Sequence, residues 1–141
     1  MILFELVSLD GVKFSEEVYE VLLPTLDGEI GVLPGHMPLI SVAKSGIVSI
    51  RRQSTDKDDM MDRFAINGGV IEVADNVLRV LVDSADHADE INEKEAQDAF
   101  ELAKKMVSEA PDALSLQQAQ NMVDRQATRI QVAALRRRTR R

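Results

Sequence analysis

A chain of 141 residues, 45% hydrophobic and 29% charged, is long enough for one domain, or for a small domain with an appendage, and too apolar for wholesale disorder. It has no cysteine, two histidines and no tryptophan; this excludes disulfides, a cysteine nucleophile, a histidine-rich metal centre and an aromatic platform for nucleic-acid bases. The net charge of -7 hides an asymmetry, because residues 115–141 hold 7 basic residues against 1 acidic residue and the rest of the chain is acidic.

Short β-branched and leucine-rich runs separated by turn residues fill residues 2–84, and this pattern predicts an antiparallel β-sandwich or barrel over residues 1–85. Dipeptides such as Asp10-Gly11 and Gly68-Gly69 tolerate positive φ and are expected to close hairpins. The run Val77–Val82 is apolar nearly throughout, which is typical of a central strand. The candidate strands are Leu3–Leu9, Val18–Thr25, Ile30–Leu33, Leu39–Val42, Ile47–Arg52, Arg63–Ile66, Val70–Val73 and Val77–Asp83.

After Asp83 the hydrophobic period changes from two to 3.6, which predicts an antiparallel two-helix hairpin over residues 86–141. Asn92 with Glu95 resembles a capping box and places the first helix start near residue 92. Pro111 ends this helix, and Ser115 with Gln118 predicts the start of the second. An alanine-rich seam holds the hairpin weakly, since alanine buries little area. The seam of the second helix is predicted from Leu116, Ala119, Val123, Ala127, Ile130 and Ala134, with Arg125, Arg129 and Arg136 on the opposite face.

The sequence contains no catalytic motif, so the chain alone is not expected to be an enzyme, and no catalytic residue, metal site or cofactor is predicted. The acidic run Asp56, Asp58, Asp59 and Asp62 is interpreted as an exposed hairpin loop, with a weak cation site as the alternative. His87 is interpreted as a solvent-exposed linker residue, with a proton donor as the alternative. The N-terminus does not resemble a signal peptide, and no run approaches the ~20 apolar residues of a membrane span, so direct membrane insertion is not expected.

The most ordered pattern lies in residues 23–40, where 3 glycines and 3 prolines impose a specific backbone path. Residues 28–39 resemble the signature G-E-[IL]-G-[IVL]-x-P-G-H-x-P-[LM] of the epsilon subunit of bacterial F-type ATP synthase, called delta in mitochondria. The resemblance continues through Phe64–Val73, where Asn67 replaces the usual serine, and through Val77–Ala85. With the sandwich and hairpin organisation, it covers essentially the whole chain.

The resemblance implies a non-catalytic central-stalk, or rotor, subunit that helps to couple proton translocation to ATP synthesis. The sandwich would bind the gamma subunit and the c ring, with Glu29 and His36 at that contact. The complex would hold the chain peripherally at the cytoplasmic face of the inner or plasma membrane. In this family the hairpin folds against the sandwich or extends into the head of alpha and beta subunits and blocks ATP hydrolysis. The residues expected to contact beta and favour the inserted state are Arg125, Arg129, Arg136, Arg137, Arg138, Arg140 and Arg141.

Some members bind ATP in the folded hairpin through an I/L-D-x-x-R-A motif and two arginines four residues apart. Here Ile91 matches the first position of the motif, whereas Asn92 replaces its aspartate and Glu95 replaces its arginine. Arg125 and Arg129 match the two arginines four residues apart. The sequence therefore indicates a degraded ATP site. The alternative function is an adaptor without a motor role, whose arginine-rich tail binds an anionic polymer. The acidic body and the missing aromatic platform argue against nucleic acid as a partner.

Overall fold

The computed structural model describes the backbone of residues 1–139 and the side chains of residues 1–136. It confirms the predicted fold class, because an eight-stranded β-sandwich precedes two helices. The predicted contact residues Arg137, Arg138, Arg140 and Arg141 lie outside the described side chains. The elements are β1 (Ile2–Ser8), β2 (Gly11–Val18), β3 (Glu20–Thr25), β4 (Gly28–Val32), β5 (Leu39–Ala43), β6 (Gly46–Arg51), β7 (Asp62–Ala74), β8 (Val77–His87), α1 (Glu93–Glu109) and α2 (Ala113–Thr139).

Strands β7 and β8 form the centre of the sandwich. β8 pairs with β7 on one side and runs parallel to β1 on the other, and β2 continues the sheet beyond β1. The second edge of β7 is shared, because residues 62–66 pair with β6 and residues 69–73 pair with β5. β5 and β6 in turn pair with β3, and β4 pairs with β3 at the edge of the sheet.

The strand pattern differs from the prediction at β2 and at β7. β2 is missed by the hydrophobic pattern because it is an edge strand in which only Phe14 and Val18 are buried. The predicted strands Arg63–Ile66 and Val70–Val73 are parts of β7, so the predicted hairpin turn at Gly68-Gly69 is wrong. Glycines adopt positive φ inside a strand as readily as in a turn, and their dipeptide signal does not separate the two cases.

The β7–β8 ribbon changes its inward face at Gly68, which has φ 59°. In β7 the buried core residues are Phe64 and Ile66 before this point and Ile71 and Val73 after it, a change from even to odd numbers. The pairing register of β7 with β8 is the same on both sides. Because successive side chains of a strand alternate between faces, the change means that the two strands turn over together.

Both halves of the ribbon contribute to one core, which includes fully buried side chains such as Phe4, Leu6 and Leu23. Each large buried side chain contributes about 1.5–3 kcal/mol relative to an exposed one. Phe14 packs edge-on against Phe64, with ring centroids 6.2 Å apart, and Phe64 packs edge-on against His87 at 5.0 Å. This aromatic series connects the edge strand β2 to the end of β8, where the helices begin.

The start of α1 confirms the predicted cap, since Asn92 Oδ1 accepts a hydrogen bond from the Glu95 amide at 3.1 Å. The predicted cap of α2 is wrong. α2 begins at Ala113, and Asp112 Oδ1 accepts a hydrogen bond from the Ser115 amide at 2.7 Å. That hydrogen bond holds the pKa of Asp112 below its ordinary value, because it stabilises the charged carboxylate.

The predicted apolar seam of α2 is also only partly correct. Ala119 is buried, whereas Leu116 is 45% exposed and the other buried positions are Gln126, Thr128, Val132 and Ala133. Val132 and Ala133 pack with Ala65, Ala88, Ile91 and Ala96 in a second small core between the sandwich and the helices. Because α2 contacts both α1 and the sandwich, its buried residues do not form a single stripe.

We expect Gly69→Ala to lower the free energy of unfolding by about 3 kcal/mol. A Cβ at this position would lie 2.1 Å from the Leu81 carbonyl oxygen and 2.9 Å from Val82 Cγ1. Gly31→Ala is the matched control, because its Cβ would lie 3.4 Å from Leu22 Cδ2, an ordinary contact. Urea unfolding followed by circular dichroism measures both, and equal losses in the two variants would contradict the close approach.

Candidate functional site

The signature region folds into an edge strand followed by a tight turn. Glu29 is exposed on β4, opposite Pro24 of β3. His36 is half-buried in the turn after β4, where Gly35 has φ 77° and the His36 amide donates to the Leu33 carbonyl at 3.1 Å. No hydrogen bond or ion pair joins Glu29 to His36 in the described chain, so the two predicted contact residues are separate features.

The imidazole of His36 has one ring nitrogen engaged. Nδ1 lies 2.7 Å from the Met37 carbonyl oxygen, which can only accept a hydrogen bond. Nδ1 therefore carries a hydrogen, and Nε2 is the ring nitrogen left for a partner. The neighbouring Met37 is 73% exposed, so the turn presents an imidazole beside an apolar side chain.

An apolar row on the outer face of the sheet is the main feature that the sequence analysis missed. Cross-strand pairing aligns Val42 with Val70, Val70 with Leu81, Leu81 with Val7, and Val7 with Val12. Four of these side chains are exposed, at 50% for Val42, 47% for Val70, 48% for Leu81 and 67% for Val12. Contiguous exposed apolar side chains mark interaction surfaces. The signal in the sequence was the apolar run Val77–Val82, which includes the outward-facing Leu81.

A charged ladder borders this apolar row. Glu72 pairs with Arg79 across β7 and β8, and Arg79 pairs with Glu5 of β1, with Arg79 Nε 3.0 Å from Glu5 Oε2. The outer face therefore has an apolar centre with a polar border, as is common at protein–protein interfaces.

Two of the predicted arginines contact the sandwich instead of solvent. Arg129 Nε lies 3.3 Å and Arg125 Nη2 3.9 Å from Oδ2 of Asp86. The Nε groups of both arginines are buried without a hydrogen-bond acceptor in the described chain, so the Arg129 contact is an ion pair without hydrogen-bond geometry. Gln126 accepts a hydrogen bond from Arg129 Nη1 at 3.1 Å. The predicted separation of an apolar seam from an opposite arginine face is therefore wrong, because α2 contacts the sandwich as well as α1 and the arginines lie on the side that meets the sandwich.

Asp86 is a contact residue of α2 that the sequence analysis did not single out. β8 continues past the predicted strand end at Asp83 to His87, and Asp86 pairs with Ala65 of β7. Ala65 belongs to the small core under the helices, which puts Asp86 on the face that α2 covers. The hydrophobic pattern does not predict a strand at residues 83–87, because four of these five side chains are polar and apolar residues do not alternate with them.

The end of β8 and the third arginine of α2 meet at a cavity of about 260 Å³. Arg136 Nη1 donates a hydrogen bond to the Ala88 carbonyl. His87 Nε2 lies 3.6 Å from Asp62 Oδ1, and His87 Nδ1 accepts from the Asp89 amide at 3.1 Å. His87 is thus part of the junction between sandwich and helices and not an exposed linker residue.

The remaining predicted site residues lie around the start of α1 and in the acidic run. Ile91 is buried in the small core, Asn92 caps α1, and Glu95 is exposed on the first turn. In the acidic run, Asp58 Oδ1 accepts a hydrogen bond from Arg51 Nη2 at 2.6 Å. The hydrogen bonds that Arg51 donates to Asp58 and, second, to Glu20 raise the pKa of Arg51. Over residues 1–139 no cluster of His, Cys, Asp or Glu is arranged to hold a metal ion.

Comparison with known proteins identifies the family. The profile of "ATP synthase, Delta/Epsilon chain, beta-sandwich domain" matches residues 1–88. A protein of Herpetosiphon aurantiacus named ATP synthase epsilon chain is 35% identical over 133 residues, which are 94% of this chain and 94% of the relative. A protein of Moorella thermoacetica with the same name is 30% identical over 129 residues, 92% of this chain and 93% of the relative.

Solved structures show the same fold. A chain of the Euglena gracilis mitochondrial ATP synthase (OSCP/F1/c-ring) superposes with a TM-score of 0.77 at 24% identity, covering 94% of this chain and 81% of the other. A chain of the Tetrahymena thermophila mitochondrial ATP synthase (central stalk/c-ring) superposes with a TM-score of 0.57 at 15% identity, covering 94% and 92%. Within the described residues, neither helix has the length and apolarity that a membrane crossing requires.

We expect Asp86→Asn to weaken the docking of α2 by about 1–2 kcal/mol, because it leaves two half-buried guanidinium groups without their carboxylate. Amide hydrogen exchange in α2 should then quicken about five- to thirtyfold, while exchange in β1 stays unchanged. Asp83→Asn is the control, since Asp83 lies on the same strand and is exposed. Unchanged exchange in α2 of Asp86→Asn would show that the ion pairs do not hold the helix.

Proposed function

Because the chain belongs to the ATP synthase delta/epsilon chain family, we propose that its sandwich couples the gamma subunit to the c ring and that its hairpin regulates ATP hydrolysis. The chain is a central-stalk subunit of F-type ATP synthase, and the observation that carries this function is the similarity to epsilon chains along 94% of its length. Its own part is mechanical and regulatory, while the chemistry of ATP takes place on the alpha and beta subunits. The complex holds it peripherally at the cytoplasmic face of the membrane.

The apolar row Val42, Val70, Leu81, Val7 and Val12 supports gamma as the partner of the outer sheet face. A rotor contact has to persist while torque passes through it, and apolar burial supplies stability without depending on one geometry of charges. The ladder of Glu72, Arg79 and Glu5 would border the contact and fix its orientation. Gamma is therefore the proposed occupant of this face.

The turn after β4 supports the c ring as the partner of the other contact. His36 Nε2 can accept a hydrogen bond or, when protonated, donate one, and Glu29 supplies an exposed carboxylate on β4. Such groups suit polar loops at the surface of a membrane ring, and a tight turn loses little conformational entropy on binding. Both residues are proposed as contacts with the c ring or gamma.

The arginines of α2 support a switch in which carboxylates are exchanged. In the docked hairpin Asp86 pairs with Arg125 and Arg129. When the hairpin extends into the catalytic head, carboxylates of beta would replace Asp86, and the arginine cluster from Arg136 to Arg141 would add further contacts. Exchange of one carboxylate for another leaves no buried charge unpaired in either end state, so the two states can differ by only a few kcal/mol.

We expect Leu81→Lys to weaken binding of the full chain to gamma about tenfold or more, because burial of a leucine contributes about 1.5–3 kcal/mol and a buried lysine opposes it. Leu26→Lys is the control, since Leu26 is 69% exposed on the β3–β4 turn outside the row. Titration calorimetry with gamma measures both affinities, and urea unfolding checks that both variants remain folded. Equal affinities for gamma would place the gamma contact elsewhere.

We expect deletion of residues 115–141 to raise ATP hydrolysis by the assembled complex without preventing assembly, because the sandwich contacts are retained and the inserting helix is lost.

We expect Asp86→Asn to lower the rate of ATP hydrolysis, since it releases α2 from the docked state. A shift of about 1–2 kcal/mol changes the ratio of docked to extended hairpins about five- to thirtyfold. Steady-state hydrolysis by the two complexes tests this, and unchanged rates in both would remove the inhibitory role.

A further inference from the structure

The side chain of Asn76 joins three distant segments at one end of the sandwich. Asn76 lies in the turn between β7 and β8 with φ 60°. Its Oδ1 accepts a hydrogen bond from the Gly35 amide at 2.9 Å, and its Nδ2 donates to the Met1 carbonyl at 2.8 Å. One amide group thus connects the β7–β8 turn, the turn after β4 and the start of β1.

The bond to Gly35 matters because residues 34–38 have little else to hold them. Their other described hydrogen bonds are local, from the His36 amide to the Leu33 carbonyl and from the His36 ring to the Met37 carbonyl. Pro34 and Pro38 have no amide hydrogen to donate. In residues 34–38 of the described chain, the Gly35 amide makes the hydrogen bond that reaches a distant segment.

We propose that Asn76 is a positioning residue for the rotor contact: by holding the Gly35 amide, it orients His36 and Met37 toward the c ring. This inference rests on the proposed contact of His36 with the ring. Asparagine suits the position in two ways, since it tolerates a left-handed backbone and its amide both accepts and donates. The turn is thereby oriented before binding, which lowers the ordering cost of the contact.

Three substitutions separate the backbone role of Asn76 from its two hydrogen bonds. Asn76→Gly keeps the positive φ and removes both bonds. Asn76→Asp keeps the positive φ and the acceptor for Gly35 but cannot donate to Met1. Asp75→Gly is the matched control, because Asp75 precedes Asn76 in the same turn, has φ 52° and is exposed.

The first measurement is amide exchange of Gly35 in the full chain by NMR. We expect Asn76→Gly to quicken this exchange about fivefold, in line with the net contribution of one hydrogen bond. Asn76→Asp and Asp75→Gly should leave it within twofold of the unsubstituted chain. Equal exchange in Asn76→Gly and in the unsubstituted chain would overturn the proposal, because the turn would then be held by something else.

The second measurement is ATP-driven proton pumping per ATP hydrolysed, in assembled ATP synthase in membrane vesicles. Asn76→Gly should lower this ratio at least twofold, and Asn76→Asp should restore it. Equal losses in the two variants would overturn the role of the Gly35 bond. His36→Ala distinguishes the remaining failures: a loss with His36→Ala but not with Asn76→Gly overturns the role of Asn76 alone. No loss with either variant overturns the ring contact itself.

Discussion

The turn-over of the β7–β8 ribbon at Gly68 is the constraint on which the other features depend. It requires the close approach of Gly69 to the Leu81 carbonyl, where a Cβ would lie at 2.1 Å. Because the ribbon turns over, its outer face divides into two surfaces. Before the turn, Ala65 and Asp86 lie under the helices; after it, Val70 and Leu81 lie in the open. One ribbon therefore provides both the docking site of the hairpin and the apolar face proposed for gamma.

The hairpin is held by contacts of two kinds with different consequences. Its apolar contacts are small, since alanines dominate the core that Ala65, Ala96 and Ala133 share with Val132, and each alanine methyl contributes well under the ~1.5–3 kcal/mol of a larger side chain. Among the residues whose side chains are described, its ion pairs with the sandwich converge on Asp86. A half-buried ion pair adds little net stability, but removal of one partner destabilises the protein because the other charge stays buried and unpaired. Docking of α2 thus depends on the ion pairs of its arginines with Asp86, and a carboxylate that competes with Asp86 for these arginines would weaken docking.

The two ends of β8 hold different parts of the chain. Asn76, just before the strand, holds the turn that carries His36, whereas Asp86, near its end, holds α2. Ten residues of extended strand separate them by about 30 Å. The fully buried core of the sandwich lies between the two ends. The contact proposed for the c ring and the regulatory contact proposed for α2 therefore lie at opposite ends of one strand.

Local residue patterns were sufficient for the fold class, the α1 cap at Asn92 and the family, because alternation, helical period and the ordered glycines and prolines of residues 28–39 act over short distances. They could not locate Asp86, the apolar row or the packing of α2. Each of these depends on which strands lie side by side and on which face α2 covers, and Arg129 meets Asp86 only across 43 residues of chain. Sequence alone thus determined the fold class, the start of α1 and the family signature. Tertiary packing decided which faces are covered, since burial depends on neighbours that are distant in sequence.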